Sequence, residues 1–323
     1  MKITEAVQFL SEEAKKTATS FDIVAGHSKS EGVSVFKGNV QNTEISESVG
    51  VGIRAFKGEH PGYAYTERLT EGALRQALKD ALLHTAFTKP LPVRLPLPEN
   101  RPLRKLPYNP DLKNVTLSQM AALSMEIENR CLELSKEVTN VPYLGAQKDE
   151  SLTVFANSNG VYFEKRENGI GAGVGVVAER GTSRKTGGYD QNALSFSELS
   201  AEKIARISVE RARELLEPSK IDGGKMPVVL SERVAGQIVG MYASSFFAEQ
   251  VQKGQSRLQG RLGTKIAGAN LSLYSDPTRE DLPAVKTFDS EGTFADRVTV
   301  VRNGVLEDFL YNLETAAVAG RAS

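Results

Sequence analysis

"VSVFKGNVQNTEISESVGVGIRAF", residues 33–56, and "LTVFANSNGVYFEKRENGIGAGVGVV", residues 152–177, follow one plan. Each has an aromatic residue before a polar turn. An alternating polar strand comes next, and then a strand of Gly-Val-Gly type. Two such stretches in one chain predict an internal duplication.

The flanking elements repeat as well. Before the first stretch, "TEAVQFLSEEAKKTAT" (residues 4–19) sets Val7, Leu10 and Ala14 on one helical face. Strand-like pieces follow: "FDIVAG", "GVSVFKG", "TEISES", "VGVGIRAF" and "GYAYTE". A closing helix starts at the cap Thr70 and carries the stripe Leu74, Ala77, Leu78, Ala81 and Leu82. In the second copy, Thr116 and Gln119 can form a capping box. Met120, Leu123, Ile127 and Leu134 make the helix face. "VPYLGAQ", "SLTVFAN", "GVYFEKRENG" and "GAGVGVVAER" read as strands, and "SAEKIARISVERARELLE" as the closing helix. The expectation is an α+β fold with two α-β-β-β-β-α units and mainly antiparallel sheets.

The first unit, with its connector, spans residues 1–108, and the second spans 109–220. The connector "TKPLPVRLPLPENRPLRKLPYNP" has seven prolines, which forbid helix and central strand. It reads as a semi-rigid spacer. A third region, 221–323, opens with "VVLSERVAGQIVGMYASSFF" (residues 228–247), a strand running into a helix capped by Ser231. It continues to a hairpin with Asn303-Gly304 as a type I′ turn. It ends at "LETAAVAGRAS", which reads as a β-rich domain left incomplete.

Composition excludes several classes. Lys+Arg and Asp+Glu are both 40, so nothing draws the chain toward nucleic acid or an anionic membrane. No run reaches the roughly 18 apolar residues of a membrane span, and the N-terminus has no apolar signal stretch. Cys131 stands alone on a helix face, as a core thiol would. A cytoplasmic protein is the simplest reading.

Candidate chemistry is sparse. His27, His60 and His84 are scattered, without metal-ligand spacing. "GIGAGVG" (residues 169–175) mimics a dinucleotide loop, but β-like residues follow it where a helix must begin. Its glycines read instead as close backbone approach or a bend in a strand. The basic group around Lys185 reads as a solvated loop. Glu232, in the first turn after Ser231, sits where a catalytic residue could sit, although the helix dipole favours a Glu there in any protein.

Three stretches carry a resemblance: "VFKGNVQNTEISESVGVGIRAFKG" with "GYAYTE", "GKMPVVLSERVAGQIV", and "FDSEGTFADRVTVVRNGVLEDFLYN". Together they resemble the TldD/PmbA family, the "modulator of DNA gyrase" proteins. One branch of that family carries His-Glu-x-x-x-His, a metallopeptidase motif. This chain reads "SERVAG" there, with Ser231 and Gly236 at the two His positions and Glu232 at the Glu. The resemblance therefore implies the PmbA (TldE) branch, with no metal on this chain and zinc in a TldD-like partner subunit. It implies a two-component peptidase, as a heterodimer or with homodimers, acting on small or unfolded peptides without direct contact to nucleic acid or membrane. It also implies a longer chain. Two alternatives stand beside it: a metallopeptidase in its own right, and a non-enzymatic protein that modulates gyrase. Peptides or partner chains are expected at exposed edges of "GAGVGVVAER" and "TKIAGANLSLY".

Overall fold

A computed structural model describes residues 1–280 and 285–321. The first unit runs α1 (Ile3–Ala14), β1 (Ser20–Phe36), β2 (Asn39–Lys57), β3 (His60–Thr66) and α2 (Glu71–His84). The second runs α3 (Leu117–Leu134), β4 (Val138–Asn157), β5 (Tyr162–Arg180), β6 (Ser183–Ala193) and α4 (Ala201–Glu214). The α+β class and the antiparallel pairing are as expected, but each unit has three strands rather than four. "FDIVAG" and "GVSVFKG" are one strand, β1, and "TEISES" and "VGVGIRAF" are one strand, β2. The polar residues 27–31 between the first two pieces do not break the ladder, and neither does the change from polar to apolar side chains between the second two, because its bonds join backbone groups and tolerate any side chain. The segment around Lys185, expected as a loop, is the edge strand β6.

The two units share one sheet. Its order is β3-β2-β1-β4-β5-β6, closed across the middle by antiparallel pairing of β1 with β4. All four helices pack on one face. Around α1 and α2 the core holds Phe21, Ile23, Val51, Ile53, Leu74 and Val154. Around α3 and α4 it holds Val33, Met120, Ile127, Val174, Val176 and Ile204. Leu134, expected on the α3 face, is exposed, while Cys131 is buried.

The duplication reaches the close packing. On β3, a Cβ added at Gly62 would lie 1.9 Å from the Ala81 carbonyl oxygen of α2. On β6, one added at Gly187 would lie 2.3 Å from the Ala212 nitrogen of α4. In both units the outer strand needs glycine to let the closing helix settle.

Residues 88–108 form no helix or strand, as their prolines require, but they do more than space the units. Leu95 is buried with Phe56 and Leu313, and the Leu95 and Pro96 carbonyls accept from Asn159 and Asn157 at 2.8 and 2.9 Å. Arg101 reaches Asp296 with two bonds of 2.7 and 2.6 Å. The connector is a strap that ties the third region to the sheet.

The third region contains α5 (Glu232–Tyr242), α6 (Ala248–Gln252), β7 (Leu273–Ser275), β8 (Val298–Arg302), β9 (Val305–Leu306) and α7 (Leu313–Ala319). The β8–β9 hairpin turns at Asn303 (φ 49°) and Gly304 (φ 82°), the positive pair that a type I′ turn needs. "TKIAGANLSLY" is mostly irregular, and "GAGVGVVAER" is interior, paired on both sides. The expectation of a free edge is therefore corrected for "GAGVGVVAER", while "TKIAGANLSLY" reaches an edge only with Leu273 and Tyr274 in β7, the outer strand of the order β7-β8-β9. No helix among the described residues is long and apolar enough to cross a membrane.

Candidate functional site

The corner at Ser231 carries the sequence motif "SERVAG". Residues 228–230, expected as a strand, belong to no helix or strand, and Val229 is 97% exposed. Ser231 caps α5, its Oγ accepting from the Val234 N–H at 3.4 Å. Glu232 begins the helix, exposed and with no described partner. Gly236 offers no donor atom. Zinc needs three or four N, S or O ligands in one place. Here one ligand position is a capping hydroxyl and another has no side chain, so the corner does not fit the metal. Among the described residues, no three His, Cys, Asp or Glu side chains converge as a metal set.

The His residues are spread out. His27 bonds Glu47 on the exposed sheet, while His60 and His84 bond the carbonyls of Thr88 and Tyr63. Cys131 is a core thiol pushed up to about 12 by burial, with the nearby Glu128 charge adding to the effect. That keeps it protonated and poorly nucleophilic at neutral pH.

The motif "FDSEGTFADR" has a structural place that sequence reasoning did not assign. It lies against the sheet face opposite the helices. Phe288 stacks on Phe163, which stacks on Phe155, at centroid distances of 4.5 and 5.2 Å. Arg54 of β2 bonds Asp22 of β1, with Nε–Oδ2 at 2.8 Å, and lies 3.7 Å from Glu291. Glu291 in turn accepts from the Leu313 N–H at the start of α7, at 2.8 Å. Burial raises the carboxyl pKa of Asp22, Asp289 and Glu291, and the charge of Arg54 opposes this at Asp22 and Glu291. Asp289 accepts from the N–H groups of Glu291 and Thr293, both at 2.9 Å, which shapes the turn. These residues dock the third region on β1 and β2 of the first unit and on the adjoining ends of β4 and β5.

The strap and the third region cover only part of that open face. The remainder is a cleft of about 1340 Å³ over β1, β2, β4, β5 and β6, with Pro107 and Glu280 at its rim. Its floor follows from the alternation of β5. Ile170, Ala172, Val174 and Val176 face the helices and are buried. Gly169, Gly171, Gly173 and Gly175 face the other way, into the cleft. That signal was present in "GIGAGVG", where glycine and apolar residues alternate with period two.

Comparison with known proteins supplies the family. The PmbA/TldA metallopeptidase models match in three pieces: domain 1 over residues 21–83, the central domain over 110–216, and the C-terminal domain over 223–323. The chain belongs to the PmbA/TldD family. A metalloprotease of Methanothermobacter thermautotrophicus is 26% identical over 93% of this chain and 66% of its own length. A protein from Thermotoga maritima, solved under the description modulator of a DNA gyrase, shares the fold at a TM-score of 0.89 and 21% identity, covering 99% of this chain and 73% of its own. TldE from Thermococcus kodakarensis gives 0.83 at 19% identity, over 98% of this chain and 72% of its own. The chain spans about two thirds of the length of the curated relatives it matches, 65% and 66% for two archaeal ones.

Proposed function

We propose that this chain is the PmbA/TldE-like subunit of a two-component metallopeptidase, working with a TldD-like subunit on small or unfolded peptides. The observation that carries the proposal is the corner at residues 231–236. Family membership supplies the metallopeptidase setting, but Ser231 serves as a helix cap and Gly236 has no ligand atom. Water is activated near neutral pH when a bound metal lowers its pKa to about 7. Glu232, exposed on a helix end without a paired base, has no equivalent means. On this reading, zinc belongs to the partner subunit and this chain contributes binding surface.

The test compares three samples on an unstructured peptide: this chain, a His-Glu-x-x-x-His partner from the same organism, and the two mixed. The expected result is hydrolysis by the mixture and none by this chain alone. Chelator-sensitive cleavage by this chain alone would overturn the proposal. Glu232→Gln in the mixture should leave the rate unchanged.

A further inference from the structure

We propose that the cleft on the open face of the sheet binds an extended, cationic polypeptide segment, rich in Lys or Arg. The floor is built from cross-strand rows. Glu44, Gly32, Gln147, Gly171 and Asn192 form one row across β2, β1, β4, β5 and β6. Asn42, Ser34, Gly145, Gly173 and Asp190 form the next. Directly paired residues point to the same side, so the second row presents glycines at its middle, the first sets Gln147 between its two glycines, and both rows end in polar groups.

The missing side chains let polar groups lie flat on the floor. A Cβ at Gly173 would fall 1.9 Å from an Asp190 carboxylate oxygen, and one at Gly171 would fall 2.5 Å from Asn192 Oδ1. Tyr143, 76% exposed, lies against Gly175 in the same way. The result is a flat surface with an acid and an aromatic edge at floor level.

Its charge has one sign. Glu44, Asp149, Glu167, Asp190, Glu198 and Glu280 line the cleft, and among the described residues no Lys, Arg or His lines it and Glu167 alone of the six is held in an ion pair, to Lys165 at 2.6 Å. The whole chain is neutral, so this asymmetry is local. A concave surface of one sign raises the local concentration of the opposite charge. The flat floor admits an extended chain, whose cationic side chains can reach acids on both rims. The choice of a polypeptide as occupant rests on the peptidase-subunit reading above.

The test measures binding without catalysis. Fluorescently labelled, unstructured peptides of equal length, one Lys-rich and one Glu-rich, are titrated with this chain at low salt. The Lys-rich peptide should bind at least about tenfold more tightly, and the preference should shrink as salt shortens the screening length. The triple variant Glu44→Gln, Asp149→Asn, Asp190→Asn should lose about tenfold of that affinity. A control variant changes net charge equally on the helix face: Glu126→Gln, Glu202→Gln, Glu210→Gln. It should bind as the parent does. Gly169→Leu, placed where an added Cβ meets nothing closer than 3.7 Å, should obstruct the floor and weaken binding without unfolding the sheet. Equal binding of the two peptides, or equal loss in both triple variants, would overturn the inference. Failure of the two-subunit hydrolysis assay with Lys-peptide binding intact would remove the peptidase reading and leave the cleft assignment standing.

Discussion

The two halves of the sheet share one plan and differ on one face. Toward the helices both carry an apolar core. Away from the helices, the first half and the adjoining ends of β4 and β5 present Asp22, Arg54, Phe56, Phe155 and Phe163. There the strap and the third region are seated. The second half presents Gly169, Gly171, Gly173 and Gly175, and together with Gly32, Ser34, Asn42 and Glu44 at the adjoining ends of β1 and β2 that face is an open cleft. Duplication thus preserved the helix-facing pattern, on which folding depends. The outward face was free to diverge into a docking surface on one side and a cleft on the other.

The comparison can be broken most severely at Arg54. Arg54→Met removes the cation from a buried pair and leaves Asp22 uncompensated, at an expected cost of about 3–5 kcal/mol. Chemical denaturation should show the loss, and proteolysis should show the third region detaching. If stability changes little, the ion pair is not what seats that region.

Glu128 tests the join between the units. It is buried on α3, and its two oxygens accept from the Lys37 and Gly38 N–H groups of the β1–β2 turn at 2.7 and 2.6 Å. Glu128→Ala should cost about 2–3 kcal/mol in denaturant titrations, because it orphans two backbone donors. Glu128→Gln should recover part of that loss.

The glycines sharpen the contrast between packed and open surfaces. Gly62→Ala and Gly187→Ala drive a methyl into helix backbone in equivalent places, and each should cost about 1–3 kcal/mol. Gly169→Ala, in the cleft, should stay within about 0.5 kcal/mol. Parallel melting curves decide this. Equal costs at all three positions would remove the distinction between the two faces.

The smallest effect expected is at the surface of the second unit. Bonds from Arg180 and Arg213 hold the Glu137 carboxyl down at about 2, against an ordinary 4.5. The folded state therefore keeps Glu137 ionised where the unfolded chain protonates it. Its contribution is present in full above pH 4.5 and is lost as pH falls toward 2. Glu137→Gln should narrow the gap in stability between pH 5 and pH 3. A variant with the parent's pH dependence would count against the pairing.

Several local features were legible in the sequence. The capping box at Thr116 and Gln119, the cap at Thr70 and the Asn303-Gly304 turn depend on residues within a few positions of one another. The helix stripes and the repeated element order rest on periodicity. The "GIGAGVG" segment, set aside as a nucleotide loop, lies within β5. The strand count is not legible because polar "HSKSE" looks like a break in β1 and the change from polar "TEISES" to apolar "VGVGIRAF" looks like a boundary between strands, although backbone pairing carries β1 and β2 straight through. β6 was missed because an edge strand with two glycines has little apolar signal.

The sequence by itself determined the α+β class and the repeated order of elements. Each of these is written in residue identity or short-range spacing. Only the tertiary structure decided that β1 and β4 join two units into one sheet. It alone seated Arg54 beside Glu291 across more than two hundred residues of chain, and it alone opened the cleft beyond the strap. Those outcomes depend on which strand edges pair and which face remains uncovered, and residues remote in sequence settle both.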